Sequence, residues 1–334
     1  MLKIELMRFY KIIFVLLIMF TNSKLFSYEE GIALNGDLEI YYRDYGPKDA
    51  EPILLVQGIG GQLINWPEHL IDFLLENNFR PIVYDNRDTG LSSRIPSDSF
   101  SDAKRDNTIV KNYIRYYLRL PIKSDYTLDD MAVDGVSVLD KLDISEAHIL
   151  GVSMGGMIAQ IIVSSHPERT KTFTLISSTA STPSPFNGPT RKVRKLLMNR
   201  TKNPNSTVDE RVARSRKIFT EIGYQGIDLN TEEFYNNVSI SIERGGKDDT
   251  GFGRQLNAIL ASQNRLDKVK SISAPTLIIH GLEDPLIKVK NAHKANKLIK
   301  GSKLIIIDDM RHLIEPPVFN QFKVDLLEHL ETNK

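Results

Sequence analysis

Gly151-Val152-Ser153-Met154-Gly155 follows the apolar run His148-Ile149-Leu150 and opens a helical pattern. Glycines on both flanks let the chain turn sharply from strand to helix. That turn presents the central serine at the carboxyl end of the strand, above a helix N-terminus. A serine hydroxyl is a poor nucleophile without a base, so a histidine and an orienting acid must come from elsewhere in the chain. Where this motif carries a triad, the chain order is Ser, then Asp or Glu, then His. Downstream, the apolar run from Thr276 ends in Gly281-Leu282-Glu283-Asp284-Pro285, an acid in a turn after a strand. The next run, Lys303 to Ile307, leads into Asp308-Asp309-Met310-Arg311-His312. The spacing predicts Ser153 as nucleophile, Asp284 as orienting acid and His312 as base, all on one edge of a sheet.

The other candidates fall to local context. Of the 7 histidines, His293, His312 and His329 lie beyond Asp284. His293 and His329 sit in lysine- or glutamate-rich helical sequence and are expected on solvated faces. His280 is expected to shape the turn before Gly281. Glu283 competes with Asp284 for the acid position, and Asp308 and Asp309 read as polar loop residues. A tetrahedral oxyanion needs backbone donors. The apolar run Ile53–Val56 ends in Gln57-Gly58-Ile59-Gly60-Gly61, so the amides of Ile59 and Met154 are the expected pair. Trp66, the only tryptophan, is expected to pack in the core or to line an acyl pocket.

The elements that must position these residues alternate in type. Strands are expected at 38–42, 53–56, 81–84, 147–150, 172–176, 276–279 and 303–307, with helices over 128–142 and 155–165. Strands separated by helices imply right-handed crossovers and a mostly parallel sheet covered on both faces. From Ser178 to Asp267 the rhythm breaks into polar, charged, Pro/Gly-punctuated sequence with helical fragments at 191–198 and 208–222. About 90 residues are too many for a simple loop, so 178–267 is expected to be a mainly helical lid inserted into a core of 28–177 and 268–334.

Lys plus Arg number 43 against 42 Asp plus Glu, a formal net charge of +1 over 334 residues. That balance does not point to nucleic acid, which usually selects a strongly basic face. With no cysteine, disulfides, thiolate metal sites and Cys nucleophiles are excluded. No metal-ligand cluster and no cofactor motif appears; Arg244-Gly245-Gly246-Lys247 lacks the spacing of a phosphate loop. The lid's basic run, Arg191, Lys192, Arg194, Lys195, Arg200 and Lys202, reads as a solvated face, with an acidic substrate or anionic headgroups as the alternative. At the N-terminus, Lys3, Arg8 and Lys11 precede the unbroken apolar run Ile12–Phe20 and a polar stretch containing Ser23. This reads as a signal peptide over 1–27, cleaved after Ser23 or Ser27, since nine apolar residues are too few to span a bilayer. Its removal shifts the formal charge from +1 to −2, because four cations leave with one acid. A periplasmic or secreted protein without stable membrane insertion is expected, with an uncleaved anchor as the alternative.

Together these residues resemble the α/β-hydrolases of the lid-bearing serine esterase type, over essentially all of 28–334. The resemblance extends to Tyr84-Asp85-Asn86-Arg87-Asp88-Thr89-Gly90-Leu91-Ser92, to Leu128-Asp129-Asp130-Met131-Ala132 and to the run from Gly151 to Gln160. The first of these is similar to a turn in bacterial carboxylesterases and aclacinomycin methylesterase. The resemblance implies the α/β-hydrolase fold, structural roles for Asp85 and Arg87, and hydrolysis of a small-molecule carboxylic ester through an acyl-enzyme without cofactor or metal. Two positions depart from the pattern: Gln57 where many relatives carry His, and Arg311 where Gly is more usual. Cofactor-free perhydrolases and carbon–carbon bond hydrolases share Ser-Met-Gly-Gly and are the alternative chemistry. A non-catalytic secreted binding protein on the same scaffold is the alternative from another class.

Overall fold

The computed structural model describes residues 27–96, 105–181, 188–199, 206–245, 250–262 and 265–332. The expected signal peptide lies almost wholly outside them. Eight strands form one sheet in the order β1-β2-β4-β3-β5-β6-β7-β8. They are β1 Tyr28–Asn35, β2 Leu38–Tyr45, β3 Glu51–Val56, β4 Phe79–Tyr84, β5 Ala147–Val152, β6 Thr170–Ile176, β7 Thr276–Gly281 and β8 Lys303–Ile307. The first two form an antiparallel hairpin that joins β4, also antiparallel; from β4 across to β8 every pairing is parallel.

The fold class is the expected one. The sequence reading missed β1, whose side chains are mostly exposed: only Ala33 is buried, while Ile32 and Leu34 face solvent. An edge strand of this composition has neither a continuous apolar run nor a clean two-residue alternation to betray it.

In β4, β5 and β7 every residue is buried, as a parallel sheet covered on both faces requires. Along β3 the faces alternate. Leu54 and Val56 join one core layer; Ile53 and Leu55 join the other. The first layer is covered by helices Leu128–Lys141 (α3) and Met154–Ser165 (α4), through Met131, Leu139, Ile158 and Ile162. The second is covered by Glu68–Glu76 (α1) and Pro316–Glu331 (α11), through Leu70, Leu74, Phe319 and Phe322. Each such side chain, fully buried, contributes roughly 1.5–3 kcal/mol. Trp66 packs in this second layer.

The start of α3 explains its acidic opening. Thr127 caps the helix, and the Asp130 carboxylate reaches back to the Thr127 amide at 2.7 Å, closing a capping box. Between β4 and α3 lies helix Arg105–Tyr117 (α2). Between β6 and β7 come Arg191–Asn199 (α5), Val208–Ile222 (α6), Glu232–Gly245 (α7), Thr250–Ala261 (α8) and Arg265–Lys270 (α9). Helix Lys290–Leu298 (α10) follows β7.

Candidate active site

Strands β5, β6, β7 and β8 end side by side, and Ser153, Asp284 and His312 follow the ends of β5, β7 and β8. Ser153 comes directly after β5, its amide donating to the Ile176 carbonyl of β6 at 3.1 Å. It adopts φ 56°, ψ −121°, a region sparsely populated by non-glycine residues that costs on the order of 1–3 kcal/mol to hold. The glycines make that turn sterically feasible. A Cβ on Gly155 would lie 1.9 Å from the Val56 carbonyl oxygen, and one on Gly151 would lie 2.5 Å from that of Gly155. The strained turn is thus clamped between β3 and its own helix. Ser178 Oγ adds a 2.6 Å hydrogen bond to the Ser153 carbonyl.

Asp284 and His312 are brought together. His312 Nδ1 lies 2.7 Å from Asp284 Oδ2, and both residues are 4% exposed. The other carboxylate oxygen, Oδ1, accepts from the amides of Leu286 and Ile287 at 2.8 Å each. A carboxylate so held fixes the ring and favours the tautomer with hydrogen on Nδ1, leaving Nε2 to act as acceptor. His280 Nε2 is 2.7 Å from the Ile287 carbonyl and 3.4 Å from Asp284 Oδ2. It shapes the acid turn, as expected, and burial holds its basicity below the ordinary histidine range. Glu283 is directed instead at Arg311, 3.9 Å away. Among the described residues no hydrogen bond joins Ser153 to His312.

The glycine turn after β3 lies against the serine: a Cβ on Gly58 would be 3.2 Å from Ser153 Cβ. Its amides are differently committed. Gly58 N–H donates to Gln57 Oε1 at 2.8 Å, and Gly60 N–H to Gln255 Oε1 at 2.8 Å. The Ile59 amide between them has no acceptor among the described residues. Gln57 therefore folds its side chain back over its own turn. Arg311 donates to the Glu221 carbonyl at 2.7 Å, while the His312 amide donates to the Ile222 carbonyl at 2.8 Å. The end of α6 is thereby fastened to the histidine loop.

The turn after β4 has a buried partner for each charge. Arg87 grips Asp134 of α3 through two 2.6 Å bonds. Asp85 accepts the amides of Leu63 and Leu91 and pairs with Arg244 of α7 at 2.6 Å. Burial raises its carboxyl above the ordinary range, and Arg244 opposes that shift. Asp88 is held by Arg254 of α8 at 2.7 and 2.9 Å and by the Tyr126 hydroxyl at 2.6 Å. Gln255 of α8, fully buried, also donates to the Arg87 carbonyl and Thr89 Oγ1 at 2.9 and 2.7 Å. Arg244, Arg254 and Gln255 were missed in the sequence because their partners lie more than 150 residues away and no local pattern marks them.

Asp85 and Arg87 thus take up structural contacts. His293, Asp308 and Asp309 are exposed, as expected. His329 departs from expectation: it is not on a solvated face. Its Nε2 lies 3.1 Å from the Phe173 carbonyl of β6, and burial lowers its pKa to about 4. The charged composition around it reflects the helix's outer face, whereas His329 lies on the face toward the sheet.

Known proteins resemble this chain in sequence or in fold. The rhodomycin D methylesterase DnrP of Streptomyces peucetius is 25% identical over 327 residues, covering 93% of this chain and 97% of that protein. The non-heme chloroperoxidase of Burkholderia pyrrocinia is 23% identical over 82% of this chain and 89% of its own. The solved meta-cleavage product hydrolase of Pseudomonas fluorescens is alike in fold, with a TM-score of 0.68 and 20% identity over 91% of this chain and 98% of that one. The family profile of the alpha/beta hydrolase fold matches residues 51–314, and on that match the chain belongs to the alpha/beta hydrolase family.

Proposed function

We propose that the protein hydrolyses a carboxylic ester through an acyl-enzyme, with Ser153 as nucleophile, His312 as general base and acid, and Asp284 as the orienting carboxylate. The observation that carries this reading is the buried 2.7 Å contact between His312 Nδ1 and Asp284, on the sheet edge where Ser153 sits in its strained turn. With Nδ1 committed, Nε2 takes the Ser153 proton as Oγ attacks the ester carbonyl. The amides of Ile59 and Met154 receive the oxyanion. His312 then passes the proton to the leaving alkoxide, and water, deprotonated in turn by His312, releases the acid. Helices α5–α9 form a lid whose residues select the ester. The similarity to a methylesterase over most of both chains supports a small alcohol as leaving group.

The test is hydrolysis of p-nitrophenyl acetate, butyrate and octanoate by wild type beside Ser153→Ala. Turnover by wild type and background rates for the variant are expected, and the preferred acyl length reports pocket depth. Equal slow rates from two folded proteins would sink the esterase reading. A second reading draws on the similarity to a chloroperoxidase: the same serine, acylated by acetate, could be attacked by peroxide rather than water. Peroxide-dependent dye halogenation in acetate buffer tests it.

A further inference from the structure

Helix α2 wears its polar and apolar faces the wrong way round for a water-facing helix. Asn112 is buried, 4% exposed, with Nδ2 donating to the Lys123 carbonyl at 3.1 Å. Val110, Ile114, Tyr117, Leu118 and Leu120 are 44–64% exposed. At spacings of four and three, Val110, Ile114 and Tyr117 occupy one helix face, and Leu118 follows in the turn that ends the helix. A surface helix ordinarily turns that face to the core, and α2 packs its other side on α8. An exposed contiguous apolar patch of this kind marks an interaction surface.

Charge identifies the partner. Overall the chain is nearly neutral, 43 cations against 42 acids. Residues 107–124 nevertheless contain Lys111, Arg115, Arg119 and Lys123 with no acid at all, and residues 181–208 contain six Lys and Arg with none. The two segments adjoin: Arg194 of α5 acts electrostatically on both Tyr113 and Tyr117 of α2. Among the described residues the ion pair recorded for these cations is Lys192 with Glu221. Apolar residues flanked by cations on one amphipathic helix match a lipid interface, where the apolar face enters the acyl boundary and the cations meet headgroup phosphates.

We propose that the α2 face, with Val110, Ile114, Tyr117 and Leu118 beside the cations of α2 and α5, docks onto the surface of an anionic phospholipid bilayer. This does not depend on the reaction at Ser153. It would, however, hold the protein against a surface that can carry apolar esters.

The experiment is co-sedimentation of the full chain with vesicles of phosphatidylcholine, with and without phosphatidylglycerol, beside two double variants in the same chain. Ile114→Asn/Leu118→Asn removes the apolar face; Lys111→Gln/Lys195→Gln removes two cations. Every protein carries the same N-terminal segment, so its contribution cancels in the comparison. Wild type is expected to bind anionic vesicles at least roughly tenfold better than neutral ones, and to lose that preference at about 0.5 M salt. Each cation near the surface contributes about fivefold, so the charge variant, which removes two, loses about 25-fold. The apolar variant loses a similar factor. Circular dichroism, unchanged in both variants, reports the fold, and the apolar variant, which lies outside the lid, also keeps its soluble-ester hydrolysis. Equal binding by variants and wild type, or equal binding to neutral and anionic vesicles, overturns the proposal. So does a monomer–dimer equilibrium shifted by Ile114→Asn/Leu118→Asn without any vesicle effect, which assigns the face to a second copy. Loss of esterase activity in wild type with vesicle binding intact would fault the reaction instead.

Discussion

Replacing Asp284 by Asn isolates what the acid does, because the site fixes which way the new amide must point. Asp284 Oδ1 accepts two backbone amides at 2.8 Å, and Oδ2 faces His312 Nδ1 at 2.7 Å. An asparagine can keep its carbonyl oxygen on the Leu286 and Ile287 amides, at about 1 kcal/mol per bond. The flipped amide would aim an NH2 at those two donors and forfeit both bonds. That preference of about 2 kcal/mol puts Nδ2 opposite His312. Two N–H donors cannot share that contact, so the imidazole must carry its hydrogen on Nε2 instead. The nitrogen that should take the Ser153 proton then has no lone pair to offer.

Loss of the correct tautomer with the geometry intact costs about 10⁴ in kcat, or roughly 5.5 kcal/mol of transition-state stabilisation. Asp284→Asn is therefore expected to lower kcat for p-nitrophenyl butyrate by about 10³–10⁴ while KM changes little, since binding of the ground state is untouched. Glu283→Gln, on the exposed neighbouring acid, should stay within about threefold, as expected of a surface residue outside the chemistry. Steady-state kinetics with matched circular dichroism melts decide the matter. An Asp284→Asn enzyme within tenfold of wild type, or a larger loss in Glu283→Gln, would refute the assignment of the orienting acid.

Three further outcomes follow from contacts away from the triad. Arg254→Met leaves the buried Asp88 without its cation, which costs roughly 3–5 kcal/mol; at about 2–4 °C per kcal/mol, a thermal melt should show Tm lower by about 6–20 °C. Gln255→Met removes the acceptor for the Gly60 amide and should lower kcat about tenfold, with a smaller change in KM, in steady-state assays; an unchanged kcat would mean the glycine turn holds itself. His329 titrates near 6.5 when unfolded and about 4 when folded, so the unfolded chain binds the extra proton between those values. Stability therefore falls as pH drops from about 6.5 to 4, by up to about 3 kcal/mol, and urea melts of His329→Gln should lose that portion of the slope.

The residues proposed as the triad stand out in the sequence because each announces itself locally. An apolar run, a glycine and a polar residue repeat at Gly151-Val152-Ser153 and at Gly281-Leu282-Glu283-Asp284, and the run ending at Ile307 leads to His312 within five residues. Strand ends are short-range events, so pattern and punctuation suffice to place them. His329 misled for the same reason in reverse. Its neighbours Glu328 and Glu331 belong to the outer face of α11, and composition cannot say which face a single residue takes. The polarity of 178–267 misled in a similar way, since it concealed fully or nearly fully buried side chains such as Arg254 and Gln255.

Those buried polar side chains have a physical logic that an apolar contact could not supply. Packing a helix against a turn by Leu and Val side chains is favourable over a range of positions, because the hydrophobic effect is non-directional. A bidentate Arg–carboxylate pair is satisfied in one geometry and costly to leave half-made once buried. The β4 turn carries Asp85 and Asp88, and the helices between β6 and β7 supply Arg244 and Arg254 to meet them. One residue further along α8, Gln255 reaches both that turn and the Gly60 amide. Any slide of α8 that broke the Asp88 pair would therefore also release Gly60, next to the Ile59 amide assigned to the oxyanion. The registry of the helices between β6 and β7 and the shape of the glycine turn are thus one condition, set by charges that the sequence displays without revealing where they meet.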